Sequence, residues 1–168
     1  MACTSGISKA ITSNCTTTKN GSLEVVAYVF NRLKVTLTFD GTNGNLITNM
    51  ANVGANVGYK LTGVKKLLNA GHDVVVAADR PNKYKHIFEF QQFERLAEDI
   101  LNVDNMQDVI VVAEAKDKST TGEGVFFVYG AKHGLYVSAD TMRHNDANGA
   151  SKITLETMEG EEEEYSEF

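Results

Sequence analysis

Residues that could carry chemistry are few in this chain and are scattered along it. The closest approach to a ligand cluster is 144–146 (His-Asn-Asp) with Asp140 a few residues earlier, but loops of this composition are usually polar turns. Glu94 and Glu98 are four residues apart, on the predicted solvent face of a helix. The remaining histidines stand singly: His72, His86 and His133. We therefore predict no catalytic, cofactor-binding or metal-binding residue, and we expect that the chain is not an enzyme.

Two further motifs do not match the known patterns of a binding site. The pair Gly54-x-x-x-Gly58 lacks the Lys-Ser/Thr continuation of a phosphate loop and its strand–helix context. Cys3 and Cys15 are twelve residues apart with no neighbouring histidine, which matches no zinc pattern. We interpret them as two reduced thiols; the alternative is a disulfide that closes an N-terminal loop.

The negative charge of the chain is concentrated at its C-terminus. The formal net charge is −6, from 22 acids and 16 bases, and seven of the acids lie in 156–168, where there is no base. The rest of the chain is close to neutral and has no basic stripe typical of specific nucleic-acid recognition. We predict that 158–168 is a solvated acidic tail. The alternative is a tail that lines a negatively charged surface or docks on a basic partner.

One predicted domain lies between the two ends of the chain. Residues 1–20 are polar and rich in Ser and Thr, which is typical of an arm that orders on contact with a partner. They show no basic stretch followed by an apolar one, and nowhere does the chain have the ~20 consecutive apolar residues of a membrane helix. We expect no export signal and no membrane insertion, and we assign 21–157 to a single domain.

Apolar periodicity within 21–157 predicts a fold that is mainly β with one helix, an α+β class. Residues 33–39 alternate strictly between apolar and polar, which is the signature of a half-buried strand. At 91–102 the period changes to that of an α-helix, with Phe93, Ala97 and Ile100 on one stripe. About eight strands separated by turn residues indicate a β-sandwich or barrel, flanked by this single helix.

The segment 40–58 is long, rich in Asn and Gly, and still contains apolar residues. A loop of this length is uncommon inside a compact domain, and its apolar side chains need a covering surface. We predict a β-arm that contacts a neighbouring copy of the chain; a local Ω-type loop or an ordinary strand pair is the alternative. The predicted inter-subunit contacts are Leu46, Ile47, Met50, Val53 and Val57.

The second half of the chain resembles virion structural proteins of Bacteroides-type (crAss-like) tailed phages. The resemblance is carried by 125–130 (VFFVYG), 134–138 (GLYVS) and 148–155 (NGASKITL), a Tyr-Gly…Gly-Leu hairpin followed by a loop and a closing strand. The order of aromatic strand, helix and Val-rich strand over 84–113 is similar, so that the resemblance covers about 59–157. The N-terminal portion and the short stretch after the last strand depart from it.

The resemblance implies a tail-tube-like subunit of the virion, assembled in the cytoplasm of a host bacterium. Such proteins form homo-oligomeric rings through sheet edges, and the rings stack through a long loop and terminal arms. The implied partners are further copies of the chain and other virion proteins, with DNA passing through a lumen without specific recognition. The alternatives are a neck or connector ring, a head-decoration protein, or, in a different class, a monomeric ligand-binding β-domain.

Overall fold

The computed structural model describes residues 23–54, 58–62, 68–76, 78, 82–92, 103, 105–115, 124–141, 151–163 and 166–167. These residues are mainly β and contain eleven strands and one short 3-10 helix, Arg32–Lys34. The strands are β1 Leu23–Asn31, β2 Val35–Phe39, β3 Ile47–Asn52, β4 Gly58–Thr62, β5 Asn69–Val75, β6 Lys83–Gln92, β7 Val109–Ala115, β8 Phe126–Tyr129, β9 Tyr136–Thr141, β10 Ser151–Glu156 and β11 Ser166–Glu167.

The strands form three antiparallel sheets. The first has five strands in the order β11-β8-β7-β1-β4, the second has four in the order β5-β6-β10-β9, and the third is the β2–β3 hairpin. Strands β6 and β10 are paired from Ser151–Gln92 to Glu156–Ile87. This register places Phe88 opposite Leu155 on the same face of the four-stranded sheet.

One core cluster fills the space between the five-stranded and the four-stranded sheet. Strand β6 shows alternating burial, with His86, Phe88 and Phe90 turned inward. Burying side chains of this size stabilises a fold by about 1.5–3 kcal/mol each. The central core consists of Ala27, Val29, Leu68, Phe88, Phe90, Val103, Val109, Val111, Ala113, Tyr129, Leu135, Ile153 and Leu155.

The β2–β3 hairpin covers the other face of the five-stranded sheet. Buried residues of this second cluster, here called the outer cluster, are Ile47, Ile110, Val112, Val128 and Ala131. Partly buried Leu37, Phe39 and Met50 of the hairpin pack against it. At the hairpin tip, the Asp40 carboxylate accepts hydrogen bonds from the backbone N–H groups of Thr42 and Asn43, at 2.8 and 2.7 Å. The predicted strand over 33–39 is thus a strand over 35–39, and its covering surface belongs to the same chain. Leu33 lies in the 3-10 helix and is 75% exposed.

An ion pair connects the start of the hairpin to the residue before β7. The Arg32 guanidinium contacts the Asp108 carboxylate through two nitrogens, with Nη2 at 3.0 Å from Oδ2. The backbone N–H of Arg32 also donates to the carbonyl of Asp108 at 3.1 Å. Asp108 has a positive φ of 57°, and Gly134 packs directly against it.

The predicted helix near 91–102 is not seen among the described residues. Gln91 and Gln92 are the last residues of β6, where they pair with Lys152 and Ser151 of β10, so the prediction of helix is wrong for these two residues. Residues 93–102 lie outside the described residues, as does the predicted arm 1–20. The mainly-β class is correct, and the described strands outnumber the eight that were predicted.

Candidate functional site: a buried glutamate and histidine beneath the C-terminal segment

The C-terminal segment, defined by the described residues 158–163 and 166–167, joins the two large sheets. Glu163 and Tyr84 of β6 exchange two backbone hydrogen bonds, at 2.9 and 3.0 Å. A few residues later, β11 pairs with β8, with Ser166 opposite Val128. The segment therefore contacts the four-stranded sheet through its bridge and the five-stranded sheet through β11.

Burial of this segment differs from the solvated tail that the sequence predicted. Glu162, Glu163 and Ser166 are 7%, 1% and 0% exposed. The charge pattern indicated solvation because it takes no account of the backbone donors that the body of the protein presents to these side chains. The described residues of 158–168 are thus part of the packed structure, although Met158 and Glu159 remain exposed.

The carboxylate of Glu163 accepts hydrogen bonds from the turn between β8 and β9. Its Oε2 accepts from the backbone N–H groups of Lys132 at 3.0 Å and His133 at 2.8 Å. Its Oε1 is buried and has no hydrogen-bond partner among the described residues. One oxygen is therefore held by two donors, while the other faces the protein interior.

Two glycines shape the turn that supplies these donors. Gly130 and Gly134 have φ angles of 73° and 80°, a region that L-residues with a side chain rarely adopt. The backbone N–H of Gly134 donates to the carbonyl of Gly130 at 3.0 Å. The turn directs successive N–H groups toward one point, and Glu163 lies at that point.

His86 is the buried neighbour of Glu163. Its Nδ1 lies 3.7 Å from Oε1 of Glu163, and both side chains are 0% exposed. Nδ1 accepts a hydrogen bond from the backbone N–H of Gly130 at 3.2 Å, so the neutral ring carries its proton on Nε2. The ring also meets Tyr129 edge to face, with 5.8 Å between centroids.

Burial shifts the protonation of both members of this pair toward the neutral form. Desolvation, with a smaller contribution from the charge of His72, lowers the pKa of His86 to about 4. Desolvation also raises the pKa of Glu163, although the backbone hydrogen bonds from His133 and Lys132 act in the opposite direction. The site therefore favours a neutral imidazole beside a carboxyl group that retains its proton to higher pH than an exposed glutamate.

The contacts of Glu163 hold the C-terminal segment against β6 and the turn between β8 and β9. A histidine and a carboxylate can perform general acid–base catalysis, but these two are closed off from solvent in this conformation. Among the described residues no group of three His, Cys, Asp or Glu side chains could hold a metal ion. The part of the chain that the structure describes also contains no helix long and apolar enough to span a membrane.

Comparisons with protein-family models, curated proteins and solved structures found no match.

The predicted inter-subunit contacts differ in how deeply the structure buries them. Ile47 is 2% exposed and Met50 is partly buried, both against the outer cluster of the same chain. Leu46 is half-buried at the base of the hairpin turn, whereas Val53 is 59% exposed. Val57 lies outside the described residues. Ile47 is thus not available to a neighbouring subunit, and the alternative of an ordinary strand pair describes 47–52 correctly.

Sequence reasoning missed Glu163 and His86 as a pair. The period-two pattern of β6 placed His86 on the same face as Phe88 and Phe90, which was a signal for burial. No comparable signal existed for Glu163, because it lies within a run of four consecutive glutamates, Glu161 to Glu164.

The structure describes only a few of the other residues that were considered as candidate ligands or motifs. Asp140 lies in β9 and is exposed, and Gly54 follows β3 with a φ of 101°. Residues 144–146, Glu94, Glu98 and both cysteines lie outside the described residues.

Proposed function

We propose that this chain is a structural subunit of a bacteriophage virion and that it assembles into the rings of a tail tube. The proposal combines the resemblance over 59–157 with one structural observation, the open edge at β5. This seven-residue strand pairs with β6 on one side and with no described strand on the other. Val74 at its end is 53% exposed, and Val76 just beyond it is 74% exposed. Unpaired edges with exposed apolar residues are sites of strand addition.

The positions of the edges favour assembly into a closed ring. In the described residues, one large sheet ends at β4 and β11, and the other ends at β5 and β9. Strands β4 and β5 are consecutive in the chain, and Tyr59 of β4 is 67% exposed. A contact between unlike edges of successive copies is heterologous, and such contacts generate rings when the rotation closes. The first partner in this proposal is therefore a second copy of the chain.

The finer fold assignment belongs to the same proposal. Two sheets around one central core support the β-sandwich alternative of the predicted fold. Stacking of rings through the hairpin is supported by Val53, the predicted contact that is most exposed among those described.

Two matched substitutions test the proposal, Val74→Lys on the edge strand and Val53→Lys on the hairpin. Both place the same charge at a valine of similar exposure, 53% and 59%. A lysine within an apolar contact is expected to weaken ring formation at least about tenfold. Val74→Lys should therefore raise the concentration at which rings form at least about tenfold, whereas Val53→Lys should leave ring formation unchanged and weaken the stacking of rings by a similar factor.

Light scattering after size-exclusion chromatography and negative-stain microscopy would measure these outcomes. Stacked rings of variable length formed by the wild-type chain support a tail tube, whereas a single fixed ring supports a neck or connector ring. Wild-type chain that is monomeric over about a hundredfold range of concentration would refute the proposal. Rings that form in Val74→Lys at the same concentration as in the wild-type chain would show that β5 is not the contact.

A further inference from the structure

We propose that docking of the C-terminal segment takes up a proton at Glu163, so that the segment is held firmly in mild acid and loosens as the pH rises. This inference concerns a single copy of the chain and does not depend on the proposed assembly.

The contacts of the segment explain why Glu163 controls it. The segment makes two backbone hydrogen bonds with Tyr84 and a two-residue pairing between β11 and β8. Glu163 lies at the first of these attachments, and its side chain is 0% exposed. An ionised carboxylate removed from water is costly unless its oxygens are satisfied. Only Oε2 receives hydrogen bonds from the described residues, so the charge on Glu163 is incompletely compensated.

The groups that face Glu163 come from each element packed around it. His86 of β6 lies 3.7 Å away and is held neutral by burial. His133 and Lys132 of the turn donate backbone hydrogen bonds, and a charge on His133 would stabilise the carboxylate. Tyr84 contributes backbone groups, and Tyr129 packs on His86. Desolvation has the largest effect on the pKa of Glu163, and this effect raises the pKa.

The direction of the pH effect follows from this raised pKa. In the undocked segment Glu163 ionises at its ordinary pKa, whereas in the docked segment it retains its proton to higher pH. The contribution of the protonated form is fully present below the ordinary pKa, and it is lost as the pH rises through the docked value. Between these two values, the undocked population increases by up to about tenfold per pH unit, since one proton is linked to docking.

Hydrogen exchange at the backbone amides of Tyr84 and Glu163 measures docking directly, because these amides form the bridge between the segment and β6. The test variant is Glu163→Gln, which keeps the shape of the side chain without its charge. The matched control is Glu159→Gln, which makes the same change at an exposed residue of the same segment. Comparing variants at each pH cancels the intrinsic pH dependence of exchange, and measurements between about pH 5 and pH 8 stay above the pKa of about 4 that His86 has in the docked structure.

We expect Glu163→Gln to protect both amides more strongly than the wild-type chain at about pH 8, by up to about tenfold for each pH unit that separates the docked from the undocked pKa. The two proteins should converge at about pH 5, and Glu159→Gln should follow the wild type. A ratio between Glu163→Gln and wild type that stays constant from about pH 5 to pH 8 would overturn the proposal. Loss of protection in Glu163→Gln at every pH would also overturn it, because the carboxylate charge would then be what holds the segment.

Discussion

Replacing Gly134 by alanine tests the close packing between the β8–β9 turn and the ion pair at the base of the hairpin. A Cβ at this position would overlap Oδ1 of Asp108 and would come within 3.0 Å of its Cα. Gly134 also has a φ of 80°, where an L-residue costs about 1–2 kcal/mol. Displacing Asp108 adds the cost of overpacking, about 1–3 kcal/mol. We therefore expect Gly134→Ala to lower the free energy of unfolding by roughly 2–4 kcal/mol, since part of the clash relaxes.

Gly54→Ala provides the matched control for this substitution. Gly54 has a φ of 101°, but nothing lies within 4 Å of the position of a new Cβ. Gly54→Ala therefore introduces the backbone strain without the clash, and it should lower the free energy of unfolding by about 1–2 kcal/mol. Urea unfolding at neutral pH measures both, with the midpoint changing and the slope constant. If the two variants differ by less than about 0.5 kcal/mol, the contact between Gly134 and Asp108 is not the constraint that we infer.

Two further substitutions test the central core and the buried histidine. Phe88→Ala removes a fully buried ring and should cost about 3–5 kcal/mol in urea unfolding; a cost near 1 kcal/mol would mean that the two sheets are not closely packed there. Burial lowers the pKa of His86 to about 4 from its ordinary value of 6.5. The stability that the neutral histidine contributes is therefore present above pH 6.5, and roughly 3 kcal/mol of it is lost as the pH falls toward 4. His86→Phe should remove this loss while costing about 1–3 kcal/mol at neutral pH, since the N–H of Gly130 loses its acceptor. Parallel stability-against-pH curves for wild type and His86→Phe would contradict this assignment.

Strands that depend on local alternation could be predicted from the sequence. Residues 35–39 alternate because Leu37 and Phe39 face the outer cluster and the threonines face solvent. The inward face of β6 follows the same rule. The valine-rich strand β7 is buried on both faces, since the central core lies on one side and the hairpin on the other. In each case, the apolar residues of the strand lie on the side or sides that other parts of the protein cover.

The covering surface itself could not be predicted from these patterns. The apolar residues of 40–58 indicated that something covers them. Ile47 and Met50 do pack against a covering surface, which belongs to the same chain, whereas Val53 is 59% exposed. Similarly, Gln91 and Gln92 fitted the start of a helix, yet pairing with β10 keeps them in a strand. Long-range pairing overrides local preference in such cases.

That this protein is mainly β can be predicted from its residues, because period-two alternation follows from the geometry of a strand whatever its partners are. The pairing of the strands and the position of the C-terminal glutamates depend on contacts between distant parts of the folded chain. Glu163 is buried because the turn at 130–134 presents backbone N–H groups beside a desolvated histidine, and those groups are some 30 residues away in the chain. Charge composition describes how a segment interacts with water, whereas burial depends on donors that only folding brings together.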